Sequence, residues 1–434
     1  MNAFFSLLRN NRNYRYTWMG QVVSEIGDHF NNIAVFSLAL TYTGSGLAVS
    51  GVMLSRAVPA IMAGPIAGVV LDRLDRKRVM IASDLVRFVV ALGFILTAPD
   101  GSSHPLGLLF ALSGILMFAS PFFTSGRAAI LPTIASREEL HTANSLTQTT
   151  QWATLTIGTF AGGASVASLG YKPAFLLNAL SFLFSAISIS RLAVASGSFR
   201  AEKKSLTESD VARPWHEYVE GLRYMRSTPL IFGIGLLGMG WATGGGAAQI
   251  LFSLFGELVF NRGPAGIGYI WGCAGIGLVI GGAVGHKLGK TLGFNGYKRS
   301  VIVCYVLHGA AYIVFSQMKN FGWALVFIGM SRAAIAVTSV MNFSQLLRHV
   351  SNEYRGRVFA TIESMTWSTM MLSMMAAGIA SLFYSPRVIG AWAGALSSTT
   401  AIFWAWAHFT GRLPEPELEG VEPHEVEVHG EQTV

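Results

Sequence analysis

Several ionisable and polar residues lie inside long apolar runs, where charge is expensive and therefore marks a candidate site. Glu25, Asp28, His29 and Asn32 are spaced so that they share one face of a helix. Arg56 lies near the middle of the next, antiparallel run. Burial favours the neutral form of a carboxyl group, and a nearby arginine favours the charged form. The pattern predicts proton coupling through Asp28, Glu25 and Arg56; the alternative is a fixed Asp28–Arg56 bridge that only joins two helices.

Polar, aromatic and methionine side chains in other runs are candidates for a substrate cavity. Arg332 and Glu363 are ionisable residues of the tenth and eleventh runs. We expect each to serve as a separate cavity or gate residue, and the alternative is a structural role. Methionine side chains are flexible and suit varied lipophilic ligands, although they also fill helix packing. The predicted cavity residues are Asn32, Gln151, Trp152, Trp241, Gln249, Arg332, Glu363 and Met370, with Trp271 as a further contact.

The elements that must position these residues are membrane-spanning helices. The chain has 434 residues, of which 52% are apolar and only 12% are charged, whereas soluble proteins carry about a quarter charged residues. An apolar run of about 20 residues spans a bilayer as a helix. We therefore predict an all-α membrane protein of twelve transmembrane helices, at 15–42, 47–71, 78–97, 105–125, 141–168, 173–194, 229–257, 264–285, 299–317, 322–347, 357–384 and 388–411.

The distribution of basic residues predicts the orientation of the chain. Most of the 31 lysine and arginine residues fall in segments on the same side of the membrane as the N-terminus. Loops rich in lysine and arginine face the cytoplasm, so we expect both termini to be cytoplasmic and the protein to lie in the inner membrane. The net charge of +8 then indicates contact with anionic lipid and not with nucleic acid.

A polar stretch divides the twelve helices into two halves. We predict an N-terminal six-helix bundle at 1–194, a cytoplasmic linker with an amphipathic helix at 195–228 and a C-terminal six-helix bundle at 229–411. Residues 412–434 form an acidic tail that we expect to be disordered.

Enzymatic chemistry and cofactors have no support in the sequence. Cys273 and Cys304 both lie in apolar runs, and neither a metal-ligand spacing nor a nucleophile–base pattern occurs. Gly289-Lys290-Thr291 lacks the upstream glycine of a phosphate-binding loop, because that position is Val284. We therefore expect no enzyme activity, no metal, no cofactor and no ATP drive within this chain.

Two motifs carry a family resemblance. Gly68-Val-Val-Leu-Asp72-Arg73-Leu-Asp75-Arg76-Lys77-Arg78 resembles the G-x-x-x-D-R-x-x-R-K loop of the major facilitator superfamily. The opening is similar to the N-R-N-F-R…W…G-Q…S…G-D pattern of its drug and siderophore exporters, among them macrolide efflux and enterobactin exporters. In this chain that opening reads Asn11-Arg12-Asn13-Tyr14-Arg15, Trp18, Gly20-Gln21, Ser24 and Gly27-Asp28.

The resemblance implies a secondary active exporter that alternates access by rocking two bundles about a midplane cavity. It also implies a conformational latch, formed by Gly68, Asp72, Arg73, Arg76, Asp84, Arg87 and Arg127, with Asp84 and Arg87 as partners of the loop. We expect the latch to close the cytoplasmic side. A monomer exchanging lipophilic drugs for protons is the first interpretation. The alternatives are a siderophore or lipid-like metabolite exporter, and a transport-inactive membrane sensor or scaffold.

Overall fold

The computed structural model describes residues 2–99, 105–193, 199 and 214–416, and this part of the chain is helical without a strand. Six long helices come first: α2 (Arg12–Thr43), α3 (Gly46–Arg73), α4 (Arg76–Gly93), α5 (Leu106–Ile134), α6 (Arg137–Leu169) and α7 (Tyr171–Ser190). The later ones are α9 (Pro229–Leu254), α10 (Gly263–Thr291), α11 (Phe294–Gln317), α12 (Phe321–His349), α13 (Asn352–Ala380), α14 (Pro386–Ser398) and α15 (Thr400–Phe409). Two shorter helices are α1 (Asn2–Asn10) and α8 (Pro214–Ser227).

The prediction of twelve transmembrane helices in two bundles is confirmed. Nine helices of the described residues are long and apolar enough to cross a membrane, counting 386–409 (α14 and α15) as one span. The other three long helices, α2, α6 and α13, are less apolar. Helices with polar faces are expected to turn them away from lipid, and all three of these helices line the space between the bundles. The residues 417–434 of the predicted tail, and 195–198 and 200–213 of the predicted linker, lie outside the described residues.

The two bundles close the space between them at one end. We call the end at which α2 begins and α15 ends the terminal face, and the other end the opposite face. Near the opposite face, α6 packs on α10 and α3 packs on α13. Ser50 Oγ donates a hydrogen bond of 3.0 Å to the main-chain oxygen of Met374, and Ser37 Oγ donates one of 3.0 Å to Glu257 Oε2. These contacts close the opposite face.

Glycine allows the backbones of α6 and α10 to touch at this seam. A Cβ atom built on Gly163 would lie 2.9 Å from the Cα atom of Gly268, closer than two carbon atoms can pack. Any side chain at Gly163 would therefore push the two bundles apart at the opposite face.

The bundles separate towards the terminal face. Residues 33–40 of α2, near the opposite face, are all buried, whereas Ile61 of α3 is 58% exposed. Along α13, Met374 is buried, while Glu363 and Ala360, which lie nearer the terminal face, are exposed. The space between the bundles is thus sealed at the opposite face and open at the terminal face.

Helix α8 packs against the second bundle. Met225 is fully buried there, and the ring of Tyr224 stacks on that of Tyr354 with centroids 4.7 Å apart. Arg357 Nη1 lies 3.0 Å from Glu220 Oε2. These contacts attach α8 to the start of α13.

Candidate functional site

A cavity of about 750 Å³ lies between the bundles, near the middle of the spans. This volume is within the range that binds drug-sized molecules. Seven helices contribute to it, and most of its polar side chains come from α2, α6 and α13. The lining residues are His29, Asn32, Ile33, Phe36, Met53, Arg56, Ala57, Ala60, Ile61, Met117, Leu155, Thr159, Gln249, Trp271, Ala360, Glu363, Ser364, Trp367, Ser368, Met371 and Met374.

The wall formed by the first bundle carries a positive charge. Arg56 Nη2 donates a hydrogen bond of 2.6 Å to Asn32 Oδ1, one helical turn beyond Asp28. The guanidinium group also lies 5.7 Å from the centre of the Phe36 ring and 3.9 Å from the Met117 sulfur. These neighbours hold Arg56 at the surface of the cavity, where it can attract an anionic or electron-rich group.

The wall formed by the second bundle carries a negative charge. Glu363, Ser364 and Trp367 are exposed and line the cavity with Met371. Their spacing of three and four residues places these side chains along one face of α13. The two walls therefore face each other with opposite charges and with apolar side chains between them.

Glu25 lies behind the wall formed by the first bundle, and its carboxylate contacts three side chains. Its carboxylate accepts hydrogen bonds from Gln21 Nε2 at 2.9 Å and from Thr154 Oγ1 at 2.7 Å. Arg127 Nη1 lies 3.4 Å from Glu25 Oε1. The predicted proton-coupling residue Glu25 and the predicted latch residue Arg127 are thus partners inside the first bundle, which joins α2, α5 and α6.

Asp28 lies in the same bundle without a direct partner. Among the described residues it forms neither a hydrogen bond nor an ion pair, although Arg87 and Arg56 are close enough to attract it electrostatically. Arg56 is bonded to Asn32 instead. A fixed Asp28–Arg56 bridge is therefore wrong for this conformation, while the proton-coupling role of Asp28 stays a prediction.

The predicted cavity residues divide into two groups. Asn32, Gln249 and Glu363 line the cavity, as does Trp271. The others do not line it in this conformation: Gln151, Trp152, Trp241, Arg332 and Met370.

These side chains lie outside the cavity because of the rotation of each helix about its axis, which residue spacing does not determine. Trp152 lies over Gly282 of α10, and Trp241 packs on Gly245 of its own helix. Met370 is buried where its main chain meets Gly246 of α9. Arg332 faces α11 and α14 in a separate crevice.

Sequence reasoning missed several polar lining residues. His29 shares the face of α2 that carries Asn32, but spacing alone does not assign it to the cavity. Thr159, Ser364 and Ser368 carry no signal of their own, because isolated hydroxyl groups are common in transmembrane helices. The available signal was their position in the least apolar spans, at helical spacing from Asn32 or Glu363.

The predicted latch residues do not connect the bundles in this conformation. Asp72 and Arg73 are exposed, and the space around Gly68 is open. Asp84 and Arg87, expected to contact the loop, instead form a buried ion pair with each other, because both point into the first bundle. Arg76 donates to the main-chain oxygen of Ala129 at 2.9 Å. Closure of the terminal face by the loop stays a prediction.

The fold and the cavity define a membrane transporter with two six-helix bundles around a central site. Residues 17–373 match the model of the Major Facilitator Superfamily, and the chain belongs to this family.

Known relatives agree with this assignment. A protein of Bacillus subtilis (strain 168) named as a bacilysin exporter is 25% identical over 358 residues, covering 81% of this chain and 84% of that protein. Macrolide efflux protein A of Streptococcus pyogenes is 23% identical over 377 residues, covering 86% and 89%. The chain is an efflux transporter of the multi-pass membrane type and not an enzyme.

The fold is also similar to that of a solved structure, a bacterial homologue of the iron transporter ferroportin in its inward-facing state. The TM-score is 0.69 at 18% identity, over 91% of this chain and 98% of that one. At this identity the likeness describes the fold alone.

Proposed function

We propose that the protein exports lipophilic, drug-like molecules in exchange for protons, by alternating access. The observation that carries this proposal is the cavity of about 750 Å³, apolar in most of its lining, with Arg56 on one wall and Glu363 on the other. Such a site can bind varied amphipathic molecules through soft, flexible side chains and one charged contact. We place the terminal face on the cytoplasmic side of the inner membrane. The described conformation is then inward-facing, and the cavity takes up substrate from inside the cell.

The proton is carried by Asp28 in this proposal. Asp28 has no direct partner among the described residues, whereas Glu25 is held by three side chains. A free carboxyl group can take up a proton without first breaking an ion pair. Asp28 is therefore the better carrier, and Glu25 positions α2 against α5 and α6.

Arg56 links the proton to the substrate. In the described conformation Arg56 is bonded to Asn32, which is one turn from Asp28 on the same face of α2. When Asp28 loses its proton, the new negative charge attracts Arg56 away from Asn32. This movement changes the shape and charge of the cavity wall. Protonation of Asp28 and binding of substrate therefore both depend on the position of Arg56, and each affects the other. Competition of this kind is what antiport requires.

The loop at 72–78 completes the cycle. Asp72 and Arg73 are exposed while the terminal face is open, and they become latch contacts when that face closes. The protein acts as a monomer in this proposal, because one chain supplies both walls of the cavity.

Transport by purified protein in lipid vesicles tests the proposal. We expect an imposed pH gradient to drive accumulation of a fluorescent lipophilic drug, and we expect Asp28→Asn to abolish this accumulation while drug exchange without a gradient persists. Glu138→Gln, which removes an exposed carboxylate at the start of α6, is the matched control and should behave like the wild type.

Two results would contradict the proposal. If Asp28→Asn retained gradient-driven accumulation, the proton route would be wrong. If cells with and without the protein accumulated every drug and secreted metabolite tested to the same extent, before and after collapse of the proton gradient, a sensor or scaffold role would replace transport.

A further inference from the structure

A carboxyl group lies in the seal between the two bundles at the opposite face. Glu257 belongs to the π-helical turn Phe255–Val259, which follows α9 in the second bundle. Ser37 of α2, in the first bundle, is fully buried, and its Oγ donates a hydrogen bond of 3.0 Å to Glu257 Oε2. Neither residue lines the central cavity. The carboxyl group therefore joins the two bundles outside the substrate site.

The π-helical turn holds Glu257 in place at the interface. The main-chain nitrogen of Phe260 donates to the main-chain oxygen of Phe255 at 2.9 Å, which closes a wider turn than that of an α-helix. Such turns are rare and are often found at functional sites. A Cβ atom on Gly256 would collide with the main chain of Ile267, so the turn packs directly on the start of α10. The Glu257 side chain thus extends to α2 from a firmly held backbone.

Hydroxyl groups connect this carboxyl group to the surface of the opposite face. Ser37 Oγ lies 3.1 Å from Tyr171 Oη, which lies 3.2 Å from Thr41 Oγ1. Glu257 and Tyr171 are half-buried, and Thr41 is exposed. The carboxyl group is therefore close enough to this surface to exchange a proton with the water outside it.

The helices around Glu257 do not compensate a negative charge. Residues 33–43 of α2 and 263–268 of α10 contain no charged side chain. Tyr171 of α7 is the titratable group that shares Ser37 with the carboxyl group. One hydroxyl donor compensates only in part for a carboxylate that is withdrawn from water.

The basic residues of the opposite face are directed elsewhere. Arg262 lies over an aromatic ring at the start of α12, 5.8 Å from its centre. Arg387 donates to two main-chain oxygens, at 2.8 and 3.1 Å, and Lys172 and Lys319 are exposed. Within the described part of the chain, none of them forms an ion pair with Glu257. Burial in the closed seal therefore favours the neutral carboxyl group over the charged one.

We propose that Glu257 is a second proton-binding site, separate from Asp28, and that its protonation closes the opposite face. The neutral carboxyl group keeps its hydrogen bond to Ser37 and allows the two bundles to meet. The charged carboxylate is better hydrated when the bundles separate, so loss of the proton opens this face.

The role of this site in transport rests on the proposed exchange of substrate for protons. With the opposite face outside the cell, an outward-facing transporter takes up a proton from external water at Glu257, closes this face and returns to the described conformation. Glu257 binds and releases its proton on this side, whereas Asp28 carries the proton that is exchanged for substrate. The two carboxyl groups thus act at different points of one cycle.

Distance measurements across the opposite face test the site in the full-length protein. Spin labels are attached to Leu169→Cys in the first bundle and Tyr384→Cys in the second, both exposed positions, after Cys273 and Cys304 have been replaced by alanine. Double electron–electron resonance in lipid nanodiscs gives the fractions of closed and open protein between about pH 5 and pH 9. Because no substrate and no gradient are used, a failure of the proposed export function does not change the outcome.

Four variants identify the group that titrates. We expect the closed fraction of the wild type to rise as the pH falls, and Asp28→Asn should keep this rise. Adding Glu257→Gln, which is neutral but still accepts from Ser37, should abolish the rise and leave the face closed. Ser37→Ala removes the donor that favours the charged form in the closed seal, so the midpoint of closure should move to higher pH by about one unit. Glu138→Gln, exposed at the start of α6, is the matched control and should titrate like the wild type.

The proposal is overturned if the wild type shows the same closed fraction at every pH, if Asp28→Asn alone removes the response, or if the double variant keeps it. If the double variant does not fold, Ser37→Ala decides, and an unchanged midpoint of closure in that variant overturns the proposal.

Discussion

The two bundles share an architecture but handle buried charge in different ways. The first bundle buries carboxylates with arginines: Glu25 is joined to Arg127 and Asp84 to Arg87, and Asp28 lies between these pairs. In the second bundle, Arg332 is buried without a carboxylate among the described residues, and Glu363 faces the open cavity. Under the proposed function, this difference assigns the proton that is exchanged for substrate to the first bundle and a charged, substrate-facing wall to the second.

The largest effect should come from breaking the Asp84–Arg87 pair. Arg87 also lies between the rings of Phe123 and Phe182, at 4.6 and 4.4 Å. Arg87→Met leaves Asp84 buried without its partner, and we expect a loss of about 3–5 kcal/mol in the free energy of unfolding. Thermal unfolding in detergent measures this loss.

Two further variants sharpen this prediction. Leu85→Met, on the lipid-facing side of the same helix, should unfold like the wild type. The double variant Asp84→Leu with Arg87→Met should recover most of the loss, because the unpaired charge is gone. A double variant as unstable as Arg87→Met alone would show that the charge pair is not the cause.

The second-bundle wall should govern substrate charge. Glu363→Gln removes the exposed carboxylate of α13, and we expect the affinity for cationic drugs to fall about tenfold, equivalent to ~1.4 kcal/mol. This loss of affinity is intermediate between the small effect of breaking a surface ion pair and the large effect of breaking a buried one, because the cavity is partly hydrated. Binding titrations with a cationic drug and a neutral drug measure the effect. The neutral drug and the variant Ser364→Ala provide the controls, and an equal loss for both drugs would rule out a charge contact.

The sequence predicted the spans well because length and apolar character determine whether a helix crosses a bilayer. Helix α2 begins at Arg12 and not at residue 15, since backbone hydrogen bonding continues past the apolar run. The last span breaks at Thr399 into α14 and α15, a local feature that composition does not reveal. Helix α1 was missed because it is too short to appear as an apolar run.

The site was predicted only in part, because spacing groups residues on a face without saying where that face points. Asn32 and Glu363 line the central cavity, since helices with several polar residues turn them away from lipid, and their role in substrate binding stays a prediction. Arg332 obeyed the same rule, but its helix turns it towards α11 and α14 inside the bundle. Asp28 and Arg56 lie on neighbouring helices as expected, yet Asn32 competes for Arg56, and spacing does not decide such a competition.

The competition for Arg56 gives a smaller, measurable effect in the first bundle. Asn32→Ala removes the acceptor that holds Arg56 in the described conformation. Arg56 is then free to pair with Asp28, which stabilises the charged carboxylate. We expect the pH at which export is half-maximal to fall by about one unit, because a stabilised carboxylate binds its proton only at higher proton concentration. Export rates across a pH series measure this shift, and Asn31→Ala, on another face of α2, is the control. A shift to higher pH would contradict the role of Arg56.

The smallest effect should come from the ion pair that attaches α8 to the second bundle. Glu220 and Arg357 are each about one-third exposed, unlike Glu25 and Arg127, which lie inside the first bundle. Water screens an exposed pair, so we expect Glu220→Gln to cost less than about 1 kcal/mol in unfolding free energy and to leave export unchanged.

The attachment of α8 depends instead on close packing, because a Cβ on Gly221 would lie 2.8 Å from the main-chain oxygen of Arg357. Gly221→Val should therefore destabilise the protein more than Glu220→Gln does. Thermal unfolding of the two variants ranks them, and the reverse order would mean that charge, and not packing, holds α8 on α13.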